Sequence, residues 1–408
     1  MQIQRAYKTE LKLNNKERSL LAGCAGAARY VWNWGLRQKI DAYEATGKSP
    51  TYYELHRQLN ALKKGELSWL YHYSKTIPQE SLRDLDRAFV NFFRRVKGNG
   101  QKNKGENEKP GFPRFKSRKQ GKGRFRVWGS MHVEDGRIKL PRIGWLRLKE
   151  KGYLPTTTVP TSLAPTTGVK VLSATVSERG GRWFVSLQVE EEIPDYQATG
   201  EPVGVDLGIN QMAVTSNGQT YQNPKALRQA LKRLARLQRE LHRRQPGSRN
   251  RAKTRTKIAR LHYRISCLRQ DAIHQATSRI VARTKPDTQR PSLVVIENLN
   301  VKGMLQNRKL ARATGDEGMG EFGRQIRYKC HWYGIALIEA DRWFPSSKQC
   351  SACGQRKETL TLAERTYRCP VCGLVIDRDL NAAINLKQLS TASSVGSEAC
   401  GEVALAIL

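Results

Sequence analysis

Four cysteines, Cys350, Cys353, Cys369 and Cys372, follow the pattern C-x2-C-x15-C-x2-C, with Gly354 and Gly373 directly after the two pairs. Two thiolates three positions apart can face one ion from a tight knuckle, and the glycine that follows relieves the turn. This is the spacing of a structural four-thiolate zinc site, which leaves no open position for catalysis. Cys24, Cys267, Cys330 and Cys400 are scattered, so a disulfide framework is not indicated. Carboxylates at the ends of apolar runs form the second group. Asp206 follows Val203 and Val205, Glu297 follows Leu293 to Ile296, and Asp379 lies four residues past Val375 where a helix begins. Singly, such a group is more often a cap or a salt-bridge partner, because a carboxylate is costly to bury alone. Three of them from separate elements of one domain instead predict an anionic cluster for divalent metal, as used in two-metal phosphodiester cleavage.

These residues need elements to hold them. Residues 3–12 alternate loosely and predict a strand, after which Asn15 can cap a helix carrying Leu20, Leu21, Cys24, Ala28, Val31 and Leu36. Pro78 sits in the first turn of a helix whose stripe of Leu82, Leu85, Phe89, Phe92 and Val96 reads as core packing and stops at Gly98. Residues 98–112 are rich in Gly, Lys and Asn and read as a linker. The pattern then turns to strands, RIKL, GWLRLK, VKVLSATV and RWFVSLQV, the last two flanking a hairpin turn at Gly180-Gly181. This predicts a small antiparallel sheet or barrel that recruits the first strand. From Pro202 come VGVDLGI, a turn at Asn217-Gly218, and two leucine-rich helical stripes broken at Gln245-Pro246-Gly247. The buried-type strand SLVVIE, a helix near 321–334, the cysteine module and DRDLNAAINL complete the pattern, and a loose tail follows Lys387.

Composition narrows the partners. The 408 residues carry 72 Lys+Arg against 36 Asp+Glu, a net charge of +36. Like charges on that scale oppose compaction and call for a polyanion, with nucleic acid as the leading candidate. Residues 109–126 hold eight basic groups and no acid, among them Arg114, Lys116, Arg118, Lys119, Arg124 and Arg126, beside Phe112, Phe115, Phe125 and Trp128. Residues 225–269 hold sixteen basic groups against Glu240 alone, and Arg243, Arg244, Arg251, Lys253, Arg255 and Lys257 stand out as phosphate contacts. No apolar run is long enough for a membrane span, and the first twenty residues lack an apolar signal core, so an intracellular, cytoplasmic protein is expected.

The motifs GVDLGIN (204–210), VIENLN (295–300), FPSSKQCSACG (344–354), RTYRCPVCG (365–373) and DRDLNAAINL (377–386) resemble the TnpB family, transposon-associated relatives of type V CRISPR effectors. AARYVWNWGL, PGFPRFKSRK and IKLPRIGWLRLK extend the resemblance to about residues 1–388. It implies a multidomain α+β fold with a helical recognition lobe, an oligonucleotide-binding β barrel, and a RuvC-like, RNase H-type α/β nuclease domain with an inserted zinc ribbon. The implied division is 1–14 first barrel strand, 15–97 helical lobe, 98–112 linker, 113–195 barrel, 196–345 nuclease with a helical hairpin at 225–283, 346–375 zinc ribbon, 376–388 end of the nuclease domain and 389–408 tail.

The implied activity is RNA-guided cutting of double-stranded DNA beside a short flanking motif, with a transposon-derived guide RNA. Carried over by motif, Asp206, Glu297 and Asp379 would hold two Mg2+ ions, with Asp377 a weaker choice for the third ligand, and the four cysteines one Zn2+. Arg365 would steady transition-state charge or serve as an ordinary phosphate contact. Tyr52, Lys75 and Gln79, in the helical lobe beside turn signals, have chemistry that suits base edges in the flanking motif and equally suits packing or plain surface. An RNA-independent transposase and a nuclease-inactive RNA-guided regulator remain open.

Overall fold

The structure, a computed structural model, describes residues 1–100, 111–118, 123–156, 169–361 and 363–394. Lys119, residues 101–110 of the expected linker and residues 395–408 of the expected tail lie outside the described residues. The chain divides into two units, Met1–Glu192 and Ile193–Leu408.

The first unit begins with β1 (Gln2–Lys12), then α1 (Asn15–Thr46), α2 (Tyr52–Leu62) and α3 (Thr76–Gly100). The cap of α1 is Asn14 rather than Asn15: its side chain accepts the Glu17 N–H, and Glu17 accepts the Asn14 N–H in return. Gly35 lets α1 and α3 approach closely, since a Cβ there would lie 2.8 Å from Leu82. The α3 stripe buries Leu82, Leu85 and Phe89, while Val96 is exposed and the helix runs past Gly98 to Gly100.

Strands β2 (Arg124–Val127), β3 (His132–Glu134), β4 (Arg137–Leu140), β5 (Gly144–Leu148), β6 (Lys170–Arg179) and β7 (Arg182–Glu192) join β1 in one antiparallel sheet, ordered β2-β6-β7-β1-β5-β4-β3. The β6–β7 hairpin turns at Gly180 and Gly181, both at positive φ (60° and 75°), as a two-residue hairpin turn requires. The expected barrel is not closed: among the described residues the end strands β2 and β3 do not pair with each other. Both are short, and α1 and α3 pack against β2. Long β1 instead bridges two halves, pairing through residues 2–10 with β7 and through Leu11 and Lys12 with β5.

The second unit holds β8 (Val203–Asp206), β9 (Gln211–Thr215), β10 (Thr220–Gln222), α4 (Ala226–Arg243), α5 (Arg249–Ile280), β11 (Leu293–Glu297), α6 (Val301–Gln306), α7 (Ala311–Glu317), α8 (Met319–Trp332), β12 (Ala336–Ala340), β13 (Thr366–Arg368), β14 (Val375–Asp377) and α9 (Arg378–Ser394). Its main sheet is ordered β10-β9-β8-β11-β12, antiparallel from β10 to β8 and parallel from β8 to β12. Alternation covers both faces. Val205, Val294 and Ile296 pack on Ile273, Ala276 and Ile280 of α5 and Phe322 and Ile326 of α8, while Val295 and Ala340 pack on Leu386 of α9. Helices α4 and α5 form a hairpin around Leu234, Leu237, Leu261 and Ile265. Among the described residues no helix is long and apolar enough to cross a membrane.

Candidate functional site

The alternation that sends Val205 and Ile296 toward α5 and α8 turns Gly204, Asp206, Val295 and Glu297 toward α9. Parallel pairing runs Val295 with Gly204 and Ile296 with Val205, so Asp206 and Glu297 end adjacent strands side by side. Carboxyl ends of parallel strands are where open α/β sheets bind ligands. Helix α9 starts at the same place: Asp377 accepts the N–H groups of Asp379 and Leu380, both at 3.0 Å, as its cap. Asp379 is thereby set in the first turn. A Cβ on Gly204 would lie 2.0 Å from the Ala383 carbonyl oxygen and 2.5 Å from the Lys387 nitrogen, so only glycine lets α9 lie this close to β8. A Cβ on Gly208 would meet Asp379 Oδ2 at 4.0 Å, which places the loop after Asp206 against the third carboxylate.

Charge accumulates at this point. Burial, then the neighbouring Glu297 and Asp379, pushes the Asp206 carboxyl well above the ordinary range, and the Asp206 and Glu297 side chains share a hydrogen bond. Burial also raises Glu297, against the Ser346 hydroxyl, which donates to Glu297 Oε1 at 2.6 Å. Two arginines face Asp379: Arg378 Nη2 lies 3.3 Å from Oδ1 and half-exposed Arg365 Nη1 3.8 Å from Oδ2. Nothing in the sequence beyond adjacency to Asp379 marks Arg378. Such an anionic trio is suited to a hard divalent cation with oxygen ligands.

The four cysteines form a tighter group, the one set of metal-ligand side chains among the described residues whose donor atoms all lie within 4.8 Å of one another. Their Sγ atoms are 3.6 Å apart for Cys350 and Cys372 and 3.5 Å for Cys353 and Cys369, too far for disulfides. A tetrahedron with metal–sulfur bonds of about 2.3 Å has edges of about 3.8 Å, so the group fits a zinc ion. Gly354 and Gly373 take positive φ (76° and 72°), as the knuckles require. The Cys372 N–H, ahead of that of Val371, holds the Cys369 thiol down to about 6. Two residues that sequence reasoning passed over anchor this module. Asn381 and Asn385 of α9, both buried, donate to the Gln349 carbonyl at 2.7 and 2.8 Å.

Several basic candidates hold the structure together, and several are exposed. Arg251 Nη1 donates to the carbonyls of Leu241 and Arg244 at 3.0 and 2.7 Å, and Arg244 pairs with Glu240, so both hold the α4–α5 turn together. Arg243, Lys253, Arg255 and Lys257 are exposed along the hairpin. In the first unit, Asn33 exchanges two hydrogen bonds with the Lys116 backbone, Trp32 donates to the Arg114 carbonyl, and Lys116 Nζ lies 3.3 Å from the Trp32 ring centre. This stretch is fastened to α1. Arg114, Arg118 and Arg124 are exposed, whereas half-buried Arg126 lies 3.6 Å from Glu80. Tyr52 stacks on His56, which contacts Gln79 Nε2 at 3.3 Å; Gln79 Oε1 is buried without a partner among the described residues, and Lys75 is exposed.

Residues 169–308 match a family described as "Probable transposase", and residues 320–386 one described as "Cas12f1-like, TNB domain". Residues 1–48 match one described as a helix-turn-helix domain, although here they form β1 and the single helix α1. A relative from Streptomyces pristinaespiralis, named as a candidate RNA-guided DNA endonuclease, is 35% identical over 410 residues, covering 98% of this chain and 92% of its own. The chain belongs to the TnpB family. A second relative, InsQ of Escherichia coli K12, carries the same description and is 30% identical over 421 residues, covering 99% of this chain and 95% of its own. Among solved structures, the chain is similar to Cas12f1 in a complex with guide RNA and target DNA, at 15% identity and a TM-score of 0.35, with 95% of this chain and 100% of that one covered. In this TnpB protein the TNB match spans α8 to α9, and therefore the four cysteines together with Asp379.

Proposed function

We propose that the protein is an RNA-guided DNA endonuclease that hydrolyses phosphodiester bonds at Asp206, Glu297 and Asp379. The observation that carries the reading is the convergence of three carboxylates, from two parallel strand ends and a helix start, on one face of the sheet. The β10-β9-β8-β11-β12 order supports an RNase H-type nuclease core. Buried Asp206 and half-buried Glu297 beside it would hold divalent cation, with Asp379 completing the set. A pair of Mg2+ ions, when bound, supplies Lewis acidity toward the attacking water and the leaving oxygen. Arg378 and Arg365 steady Asp379, and Ser346 orients Glu297. The four cysteines hold one structural zinc ion. Guide RNA and target DNA follow from the +36 charge, the exposed hairpin basics and the relatives' descriptions. Tyr52, Lys75 and Gln79 remain the proposed readers of the flanking motif.

The test is to purify the chain with its associated RNA and follow target cleavage in Mg2+. Asp206→Ala, Glu297→Ala and Asp379→Ala should each lower cutting by at least about a thousandfold, or ~4 kcal/mol of barrier, with DNA and RNA binding retained. Cutting by the Asp206 variant would overturn the reading. Cleavage that survives removal of the RNA would favour the second reading, an RNA-independent transposase, which the "Probable transposase" match keeps in view.

A further inference from the structure

The segment 344–351 leads from β12 into the first knuckle, and α9 grips it from below. Asn385 Nδ2 donates to the carbonyls of Ser346 at 2.7 Å and Gln349 at 2.8 Å. Asn381, one turn earlier, donates to the same Gln349 carbonyl at 2.7 Å and accepts the Ser351 N–H at 3.0 Å. Both residues are about 99% buried or more, so water does not compete for the bonds they donate, although among the described residues Asn385 Oδ1 itself has no partner. The backbone on either side of Cys350 is therefore held in one position. At the other end of the same segment, the Ser346 hydroxyl donates to Glu297 at 2.6 Å. Ser346 is itself 5% exposed, so no bulk solvent competes for that bond.

Ser346 thus meets α9 through its carbonyl and a candidate metal ligand through its side chain. Within the described residues, no other side chain than Ser346 and Asp206 is seen to hydrogen-bond Glu297. The second knuckle contributes through Tyr367, whose buried hydroxyl donates to the Lys348 carbonyl at 3.3 Å. A fixed cysteine module fixes Gln349; Gln349 and Asn385 fix Ser346; Ser346 fixes the rotamer of Glu297. We infer that Ser346 is a positioning residue for Glu297, and that the four-cysteine module sets its place through Asn385. The inference rests on the nuclease reading above. It gives the metal module a part in the cleavage step as well as in folding, because outer partners of metal ligands tune affinity and activity.

The probe is Mn2+ alone, titrated into the full chain with its RNA and followed by electron paramagnetic resonance, with the Asp206→Ala variant defining the site. Ser346→Ala should keep one zinc per chain and a single cooperative unfolding transition, with only a modest fall in its midpoint. It should weaken Asp206-dependent Mn2+ binding by on the order of 10- to 100-fold and raise the Mg2+ concentration for half-maximal cleavage in step. Ser346→Thr, which keeps the hydroxyl, should restore both. Asn385→Asp, which replaces the donor by an acceptor, should weaken Mn2+ binding in the same direction; if it fails to fold, Ser346→Ala decides alone. Wild-type Mn2+ affinity in Ser346→Ala would overturn the inference while leaving the nuclease reading intact. Mn2+ binding and cutting that both survive in Asp206→Ala would overturn that reading, and this inference with it.

Discussion

Glu317, buried at the end of α7, has one oxygen, Oε1, without a hydrogen-bond partner among the described residues, while Asn223 donates to the other. Asn223 also donates to the Ile209 carbonyl at 3.1 Å, in the loop that follows Asp206. Burial pushes the Glu317 carboxyl up to about 8, against an ordinary value of about 4.3. A raised folded value means the native state holds the proton that the unfolded state gives up. Stability from this group is full below about pH 4 and is lost as pH rises toward about 8. Glu317→Gln, isosteric and uncharged, should flatten the fall in unfolding temperature between about pH 5 and about pH 8.5. Parallel slopes for the two proteins across that range would sink the argument. Neighbouring Asp316 instead accepts the Leu227 and Arg228 N–H groups and so caps α4, whose own preceding residue, Lys225, is in a left-handed conformation.

At the scale of elements, α9 against β8 decides the site. Gly204→Ala would drive a methyl group into backbone atoms of α9, which cannot swing aside as a side chain can. We expect a loss toward the upper end of the ~1–3 kcal/mol typical of overpacking, with cleavage lost in step; an unchanged unfolding midpoint in denaturant would contradict it. Much of this architecture was legible in the sequence. Apolar runs ending in Asp206 and Glu297 reported strand ends, and Gly180-Gly181 reported a hairpin, because both signals are local. Barrel closure is not local: it turns on whether distant short strands such as β2 and β3 find each other, and here β2 has helices beside it instead. The roles of Asn381 and Asn385 were equally hidden, since their partners are backbone carbonyls that every residue possesses. Composition could not separate Arg251, which closes the α4–α5 turn, from exposed Lys253 two positions away.

At the scale of the molecule, the net charge of +36 is what would gather nucleic acid on the proposed reading. The structure sharpens which residues should matter for the salt dependence of binding. Replacing exposed Arg243, Lys253, Arg255 and Lys257 by Gln should lower the slope of log K against log salt by about 0.7 to 0.9 for each phosphate no longer neutralised. Arg251→Gln should act mainly on hairpin stability. A gel-shift series from about 50 to about 300 mM salt tests this; an unaltered slope in the fourfold variant would make the hairpin a solvated face.

The placement of Asp379 on α9 also has a consequence for the order in which the protein is made. Synthesis delivers β8, the basic hairpin and β11 well before α9, so on the proposed reading a nascent chain would gather nucleic acid before its carboxylate trio is complete. On the proposed reading, cutting would be withheld until the helix that backs Gly204 has left the ribosome, and translation itself would guard the transcript and gene being read. Ribosome-arrested chains of increasing length, assayed for target cleavage, should gain activity only once α9 is out; activity in shorter chains would refute it.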